Sequence, residues 1–366
     1  MKKILIINPF GVGDVLFTTP VIAALKKKFP DSFIGYLCQK QTAPILENHP
    51  LVDKLFLYTR GDLKQVRKKS YLEYIKMLLR GINKIRNENF DLAVDLSMVN
   101  QYSLLLWMLG VKQRFGFDYK GRGRFLTHKL PFNGFGQKHV IEWYRDLLKM
   151  MKVNEFNREL KFYIALKDRQ YADNFLTKNA VLNSDIMIGI APFGGGSWGK
   201  DARSKQWPDE CFVQLINDLL KCYKCKIIIF GTDKNNDDCA IFKEVLSNKD
   251  VVNALGRTTL GQLAALIGKC NIFISNDSGP MHIACAKGVD TVSIFGPVDE
   301  NVYGPVGRTA RHEIVMAEVE CRPCYKNFKK PDCKNIDCLK AISEKMVLET
   351  IDKVFKAKKI RRSSGK

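Results

Sequence analysis

No stretch of this 366-residue chain approaches the roughly 20 consecutive apolar residues that a membrane-spanning helix needs, so no transmembrane span is expected. A secretory leader is lacking as well. The first apolar run is short, contains Asn8 and Pro9, and leads to Asp14 rather than to a small-residue cleavage site, which points to a cytoplasmic protein. Acidic residues are scarce: 38 Asp and Glu stand against 59 Lys and Arg, a net charge of +21. Such an excess meets the first criterion for a nucleic-acid partner, yet the chain has no zinc-finger helix, RNP-type aromatic strand or basic heptad region. No nucleic acid is therefore expected. Also missing is the third glycine of a dinucleotide fingerprint, because Leu16 follows where it would stand after Gly11 and Gly13; no dinucleotide cofactor is expected at this turn.

What is present alternates between short apolar runs and amphipathic stretches. Strands are expected near 3–8, 33–38, 54–58 and 92–96, with helices near 14–28, 71–86 and 101–109. The second half repeats this with strands near 186–190, 226–230, 251–254, 271–275 and 291–294, and helices near 209–221, 260–268 and 279–287. The alternation argues for an α/β fold with parallel sheets covered on both faces, and the length suits two domains. Two doubly wound units facing a central cleft would bring together groups at the carboxyl ends of their strands, Asp14 from one and Asp277 from the other.

Three stretches carry chemistry. Asn271–Ser275 reads as a buried strand, and the turn Asn276-Asp277-Ser278-Gly279 then opens a helix whose free N–H groups suit a phosphate. Gly279 allows close backbone approach, Ser278 can cap the helix or donate to a ligand, and Asp277 and His282 can hold hydroxyls or a diphosphate, or belong to an ordinary capped helix. At the N-terminus, a strand over Lys3–Asn8 is followed by Gly11-Val12-Gly13-Asp14 and a helical pattern. Asp14 there either acts as a general base or complements the helix dipole. Between the two, Gly194-Gly195-Gly196-Ser197 reads as a flexible loop able to wrap a phosphate; the Lys200, Arg203 and Lys205 that follow either neutralise a diphosphate leaving group in place of a metal or belong to a solvated basic loop between two elements.

With these on the page, the chain resembles glycosyltransferase family 9, the ADP-heptose:lipopolysaccharide heptosyltransferases. Four motifs in order carry the resemblance: Gly11-Val12-Gly13-Asp14 through Thr18-Thr19-Pro20, then Lys205-Gln206-Trp207-Pro208, then Asp277 to His282, and Phe295-Gly296-Pro297. The resemblance implies the GT-B architecture. It divides the chain into a Rossmann-like acceptor domain over 1–160, a nucleotide-sugar domain over 161–342, a C-terminal helix over 343–358 that crosses back to the first domain, and a basic tail over 359–366. It implies inverting, metal-independent transfer of heptose from ADP-heptose to an acceptor of the lipid A-Kdo type, with no cofactor. Asp14 would be the base. Lys205, Asp277, Ser278, Gly279, His282, Gly195 and Ser197 would bind the donor, and Gly11, Gly13, Thr18, Arg122 and Arg124 would lie on the acceptor side.

Residues 60–86 hold nine Lys or Arg against two Asp or Glu, with Tyr71, Ile75, Leu78, Ile82 and Ile85 as an apolar stripe at helical spacing. Such a helix either packs its stripe on the core or lies on an anionic surface, here the cytoplasmic face of the inner membrane, where the protein would be peripheral. Eleven cysteines without a leader argue for reduced thiols or metal. Cys321, Cys324, Cys333 and Cys338 have the number and spacing of a tetrahedral thiolate site for structural zinc or iron, and similar clusters occur in part of the family. Two other functions fit these observations. One is a transferase of the same fold using another nucleotide sugar or a protein acceptor, and the other is a non-enzymatic, basic protein that binds polyanions or membranes.

Overall fold

The computed structural model describes residues 1–136, 138–194, 196–232, 238–307, 309–330 and 332–362. The chain divides into two compact units, Met1–Tyr163 and Ile164–Lys366, three residues beyond the boundary read from the sequence. The first unit runs β1 (Lys3–Ile7), α1 (Val12–Leu16), α2 (Thr19–Lys28), β2 (Phe33–Gln39), β3 (Lys54–Tyr58), α3 (Arg60–Lys69) and α4 (Tyr71–Arg86). It continues with β4 (Leu92–Asp95), α5 (Asn100–Met108), β5 (Gln113–Tyr119), β6 (His128–Phe132) and α6 (Val140–Met150). Its six strands are all parallel, in the order β3-β2-β1-β4-β5-β6.

The second unit runs α7 (Leu166–Lys178), β7 (Ile186–Ala191), a 3₁₀ segment (Gly196–Lys205), α8 (Asp209–Cys222), β8 (Cys225–Gly231), α9 (Lys243–Leu246), β9 (Val251–Leu255) and α10 (Leu260–Ile267). Then follow β10 (Ile272–Asn276), α11 (Gly279–Ala286), β11 (Asp290–Ile294), α12 (Glu300–Tyr303), β12 (His312–Val315), α13 (Asp337–Lys340) and α14 (Glu344–Ala357). Its strands are again parallel, ordered β12-β11-β10-β7-β8-β9. The central strands β1, β4, β7, β10 and β11 are buried almost throughout, as parallel strands with helices on both faces must be. In both sheets the strand order reverses next to the first strand of the unit, and there the loops at the carboxyl ends part.

The single helix expected over 14–28 is two helices. Phe17 and Thr18 separate α1 from α2, with Pro20 in the first turn of the latter, where its missing N–H costs nothing. The C-terminal helix forms where expected, but its buried residues Val347, Ile351, Val354 and Phe355 join the core of the second unit, beside α8 residues Leu215 and Leu219. The apolar stripe of α14 thus packs on the core of the unit it follows. Among the described residues, no helix is long and apolar enough to cross a membrane.

Candidate functional site

In the first unit the carboxyl edge of the sheet gathers the loops after β1, β4 and β5. Asn8, fully buried at the end of β1, ties the first of these. Its amide donates to the Asp14 carbonyl at 3.1 Å, and its Oδ1 accepts from the Phe10 N–H at 3.1 Å. Asp14, the third residue of α1, folds back so that its Oδ2 accepts from the Gly11 N–H at 3.1 Å. One of its oxygens thus caps the helix, while the residue stays only half-buried. Gly11 has φ −78°, and a Cβ there would meet Asp14 Oδ2 at an ordinary 3.6 Å. The fold itself does not require glycine at this position.

Thr18 lies beneath this turn. Its hydroxyl donates to the Val15 carbonyl at 2.7 Å and sits 2.7 Å from the Tyr36 hydroxyl. Burial pushes the Tyr36 and Tyr144 phenols well above their ordinary values, and the charge of Asp14 pushes both further in the same direction. Both therefore remain O–H groups at neutral pH, in the electrostatic reach of the Asp14 carboxylate. Arg122 and Arg124 lie exposed in the loop after β5, their guanidinium groups 5.4 Å from the Tyr119 ring centroid and 5.8 Å from that of Phe125.

Sequence reasoning passed over Asp95. It ends β4, in register with Ile7 of β1, and is buried, with its Oδ1 accepting from the Ser97 N–H at 2.9 Å. Burial pushes its carboxyl up to about 6, against a partial pull downward from Ser97. The signal was an apolar run, Leu92-Ala93-Val94, that ends on a carboxylate. A carboxyl raised in the folded state makes folding take up a proton. Its stabilising contribution is fully present below the unfolded-chain value of about 3.9 and is lost as pH rises through about 6. Asp95→Asn keeps the acceptor for Ser97 and cannot ionise. Urea midpoints measured from pH 4 to pH 7 are expected to decline for the parent, by an amount on the order of 2 kcal/mol, relative to a flatter profile for the variant.

In the second unit, neighbouring strands β7, β10 and β11 send three loops to one edge. Asn276, fully buried, fastens two of them: its amide donates to the Pro192 carbonyl at 2.6 Å and its Oδ1 accepts from the Trp207 N–H at 2.9 Å. Gln206 donates to the Gly194 carbonyl at 2.8 Å, and the buried Trp207 indole donates to the Ile342 carbonyl at 2.9 Å. These bonds fix the end of the 3₁₀ segment, and with it Lys205.

The Lys205 Nζ lies 2.5 Å from Asp277 Oδ2, with side chains only 10% and 7% exposed. The contact is a buried ion pair. The same ammonium stands 5.1 Å from the Trp198 ring centroid. An ammonium has three N–H groups, so the ion pair does not exhaust it. Ser278 occupies the N-cap position of α11, yet its side chain makes no cap hydrogen bond, and its buried hydroxyl has no partner among the described residues. An orphaned buried hydroxyl costs about 1–3 kcal/mol. A ligand oxygen at this helix N-terminus would recover that cost. Gly194 faces it closely, because a Cβ on Gly194 would come 3.2 Å from Ser278 Cβ. Gly279 is the first residue of α11, and His282 is buried one turn further along.

Lys205, Asp277, Ser278, Gly279 and His282 are thus brought together. Gly195 lies outside the described residues, and Ser197 lies in the 3₁₀ segment, which replaces the expected flexible loop. The four clustered cysteines share a neighbourhood: burial first, and then the other three thiols, push Cys338 up to about 11. Cys321 and Cys333 are exposed while Cys338 is buried, and among the described residues no group of three or more His, Cys, Asp or Glu is arranged to hold a metal.

The sequence profile of glycosyltransferase family 9 (heptosyltransferase) matches residues 78–334. Lipooligosaccharide heptosyltransferase 2 from Campylobacter jejuni is 26% identical over 356 residues, covering 96% of this chain and 99% of the relative. Among solved structures, a glycosyltransferase family 9 protein from Veillonella parvula superposes with a TM-score of 0.79 at 24% identity, covering 97% of this chain and 98% of that one. The ADP-heptose LPS heptosyltransferase II of Escherichia coli superposes with a TM-score of 0.75 at 20% identity, covering 98% of this chain and all of that one. The fold of both units is thus the α/β, GT-B type.

Proposed function

The chain belongs to glycosyltransferase family 9, the heptosyltransferase family, and on that premise we propose that it transfers heptose from ADP-heptose to a lipopolysaccharide-core acceptor of the lipid A-Kdo type. Its being a glycosyltransferase sets aside the non-enzymatic reading of its charge. The observation that carries the donor assignment is the buried Ser278 hydroxyl at the N-terminus of α11, which has no partner among the described residues and stands next to the Lys205–Asp277 pair. A diphosphate would accept from Ser278, from the backbone N–H of Gly279, from His282 and from the remaining N–H groups of Lys205. Asp277 would accept from a ribose or sugar hydroxyl.

The reaction follows from these roles. The acceptor hydroxyl attacks the anomeric carbon, its proton passes to the Asp14 carboxylate, and the bond from the anomeric carbon to the phosphate oxygen breaks with its electrons leaving on ADP. Attack from the face opposite the leaving group inverts the anomeric configuration. Lys205 and the α11 N-terminus offset the growing charge on the diphosphate, the task a metal performs elsewhere, and transfer needs no cofactor. Arg122 and Arg124 would attract an acidic acceptor, with Gly11, Gly13 and Thr18 shaping its seat. The enzyme would work at the cytoplasmic face of the inner membrane. The four cysteines take no part.

Thermal unfolding in the presence of ADP, UDP, GDP and ADP-heptose tests the donor. A rise in Tm with ADP and ADP-heptose alone is expected. A rise confined to UDP or GDP would keep the transferase and replace its donor.

A further inference from the structure

Helices α3 and α4, joined through Ser70 alone, are held to the first unit by a narrow seam. Among the described side chains from Gly61 to Arg86, only Ile85 is buried; it packs with Phe56, Phe90 and Leu106 on one face of the sheet. The rest of the expected stripe is half-buried or bare. The opposite side of α4 carries the Lys76–Glu73 ion pair at 2.9 Å but is not wholly polar, as it would be on an ordinary surface helix. Leu72 is 73% exposed and Leu79 is 52% exposed. Seven residues apart, they fall on one line of the helix with Lys76 between them, and Arg80 and Lys84 flank that line. The preceding helix ends on Arg67-Lys68-Lys69. On the same sheet face α5, whose Leu106 shares the cluster with Ile85, exposes Trp107 and Met108.

Leucines set among cations in this way fit one class of partner better than the others. A second copy of the chain would bring the same positive charge to the contact. A nucleic acid would use the cations but has nothing to offer Leu72 and Leu79. An anionic bilayer satisfies both, with phosphate headgroups for the ammonium and guanidinium groups and an acyl boundary for the leucines. We propose that the α3–α4 segment docks the enzyme on an anionic phospholipid bilayer, inserting Leu72 and Leu79 while Lys76, Arg80, Lys84 and the Arg67–Lys69 cluster meet the headgroups. This deepens, and rests on, the reading of the acceptor as a membrane glycolipid, but it is tested without any transfer.

The test is sedimentation of the full-length protein with vesicles of phosphatidylcholine alone or with added phosphatidylglycerol, at low and high salt. The protein is expected to pellet with the phosphatidylglycerol vesicles and not with phosphatidylcholine alone, and salt should weaken the binding. Leu72→Ser and Leu79→Ser should each weaken partitioning about tenfold or more. Lys76→Glu with Arg80→Glu should weaken it to a similar degree. All these side chains are exposed, so unchanged far-UV circular dichroism and unchanged ADP binding should accompany the loss. The proposal is overturned if the serine variants sediment like the parent, if phosphatidylcholine alone captures the protein equally well, or if a DNA duplex binds as tightly as the anionic vesicles and the serine changes leave that binding intact. Vesicle binding that holds while no nucleotide sugar is turned over would sink the functional reading and leave the docking surface standing.

Discussion

Asp14→Ala is expected to lower turnover by roughly 10²–10⁴-fold, the usual worth of a positioned base, with donor affinity nearly unchanged. Alanine alone would be ambiguous, because Asp14 Oδ2 also accepts from the Gly11 N–H and caps α1. Loss of such a cap costs about 1 kcal/mol. Asp14→Asn separates the two roles: its amide oxygen still accepts from Gly11, but it cannot take a proton from an acceptor hydroxyl. The base assignment predicts that both variants lose turnover while the asparagine variant keeps the parent's Tm. Near-normal turnover in Asp14→Asn would show that the residue only shapes the loop. Steady-state rates, calorimetric titration with ADP and thermal unfolding, taken together, read these outcomes apart.

The second large effect belongs to Lys205. Removing one partner of a buried ion pair strands the other, at a cost of about 3 kcal/mol or more, and Lys205→Ala would strand the Asp277 carboxylate. Stability should therefore fall together with donor affinity. Combining Lys205→Met with Asp277→Asn removes both charges, and most of the stability should return. Donor affinity should not return, because the ammonium that meets the diphosphate is still missing. If Lys205→Ala binds ADP as the parent does, Lys205 leaves the proposed site and the pair is a purely structural contact. Urea unfolding and ADP titration of the single and double variants make that comparison.

These two residues also show how far the chain could be read without its structure. The turn that holds Asp14 follows an apolar run, Lys3–Ile7, with glycines at its end, and local pattern was enough to place it. Lys205 and Asp277 each stood out as a charge beside a motif, but their pairing across 72 residues has no local signal; it depends on Asn276 holding Trp207 against β10. The strands that went unread fit the same view. β6 and β12 lie at sheet edges, where half-exposed sequences such as His128–Phe132, with Pro131, and His312–Val315 suffice. β5 carries Gln113 and Arg114 at its exposed start, which hid the buried Phe115–Phe117. The stripe of α14 was legible as helical. Which core it would enter was not, because amphipathicity gives a helix a face and not a partner.

The most direct measurement incubates the purified enzyme with ADP-heptose and a Kdo-bearing lipid A acceptor, then follows ADP release and analyses the product by mass spectrometry and NMR. The account predicts one heptose added per acceptor, ADP released in equal amount, and an anomeric configuration opposite to that of the donor. Release of ADP without a glycosylated acceptor, or a product that retains the donor's configuration, would contradict it.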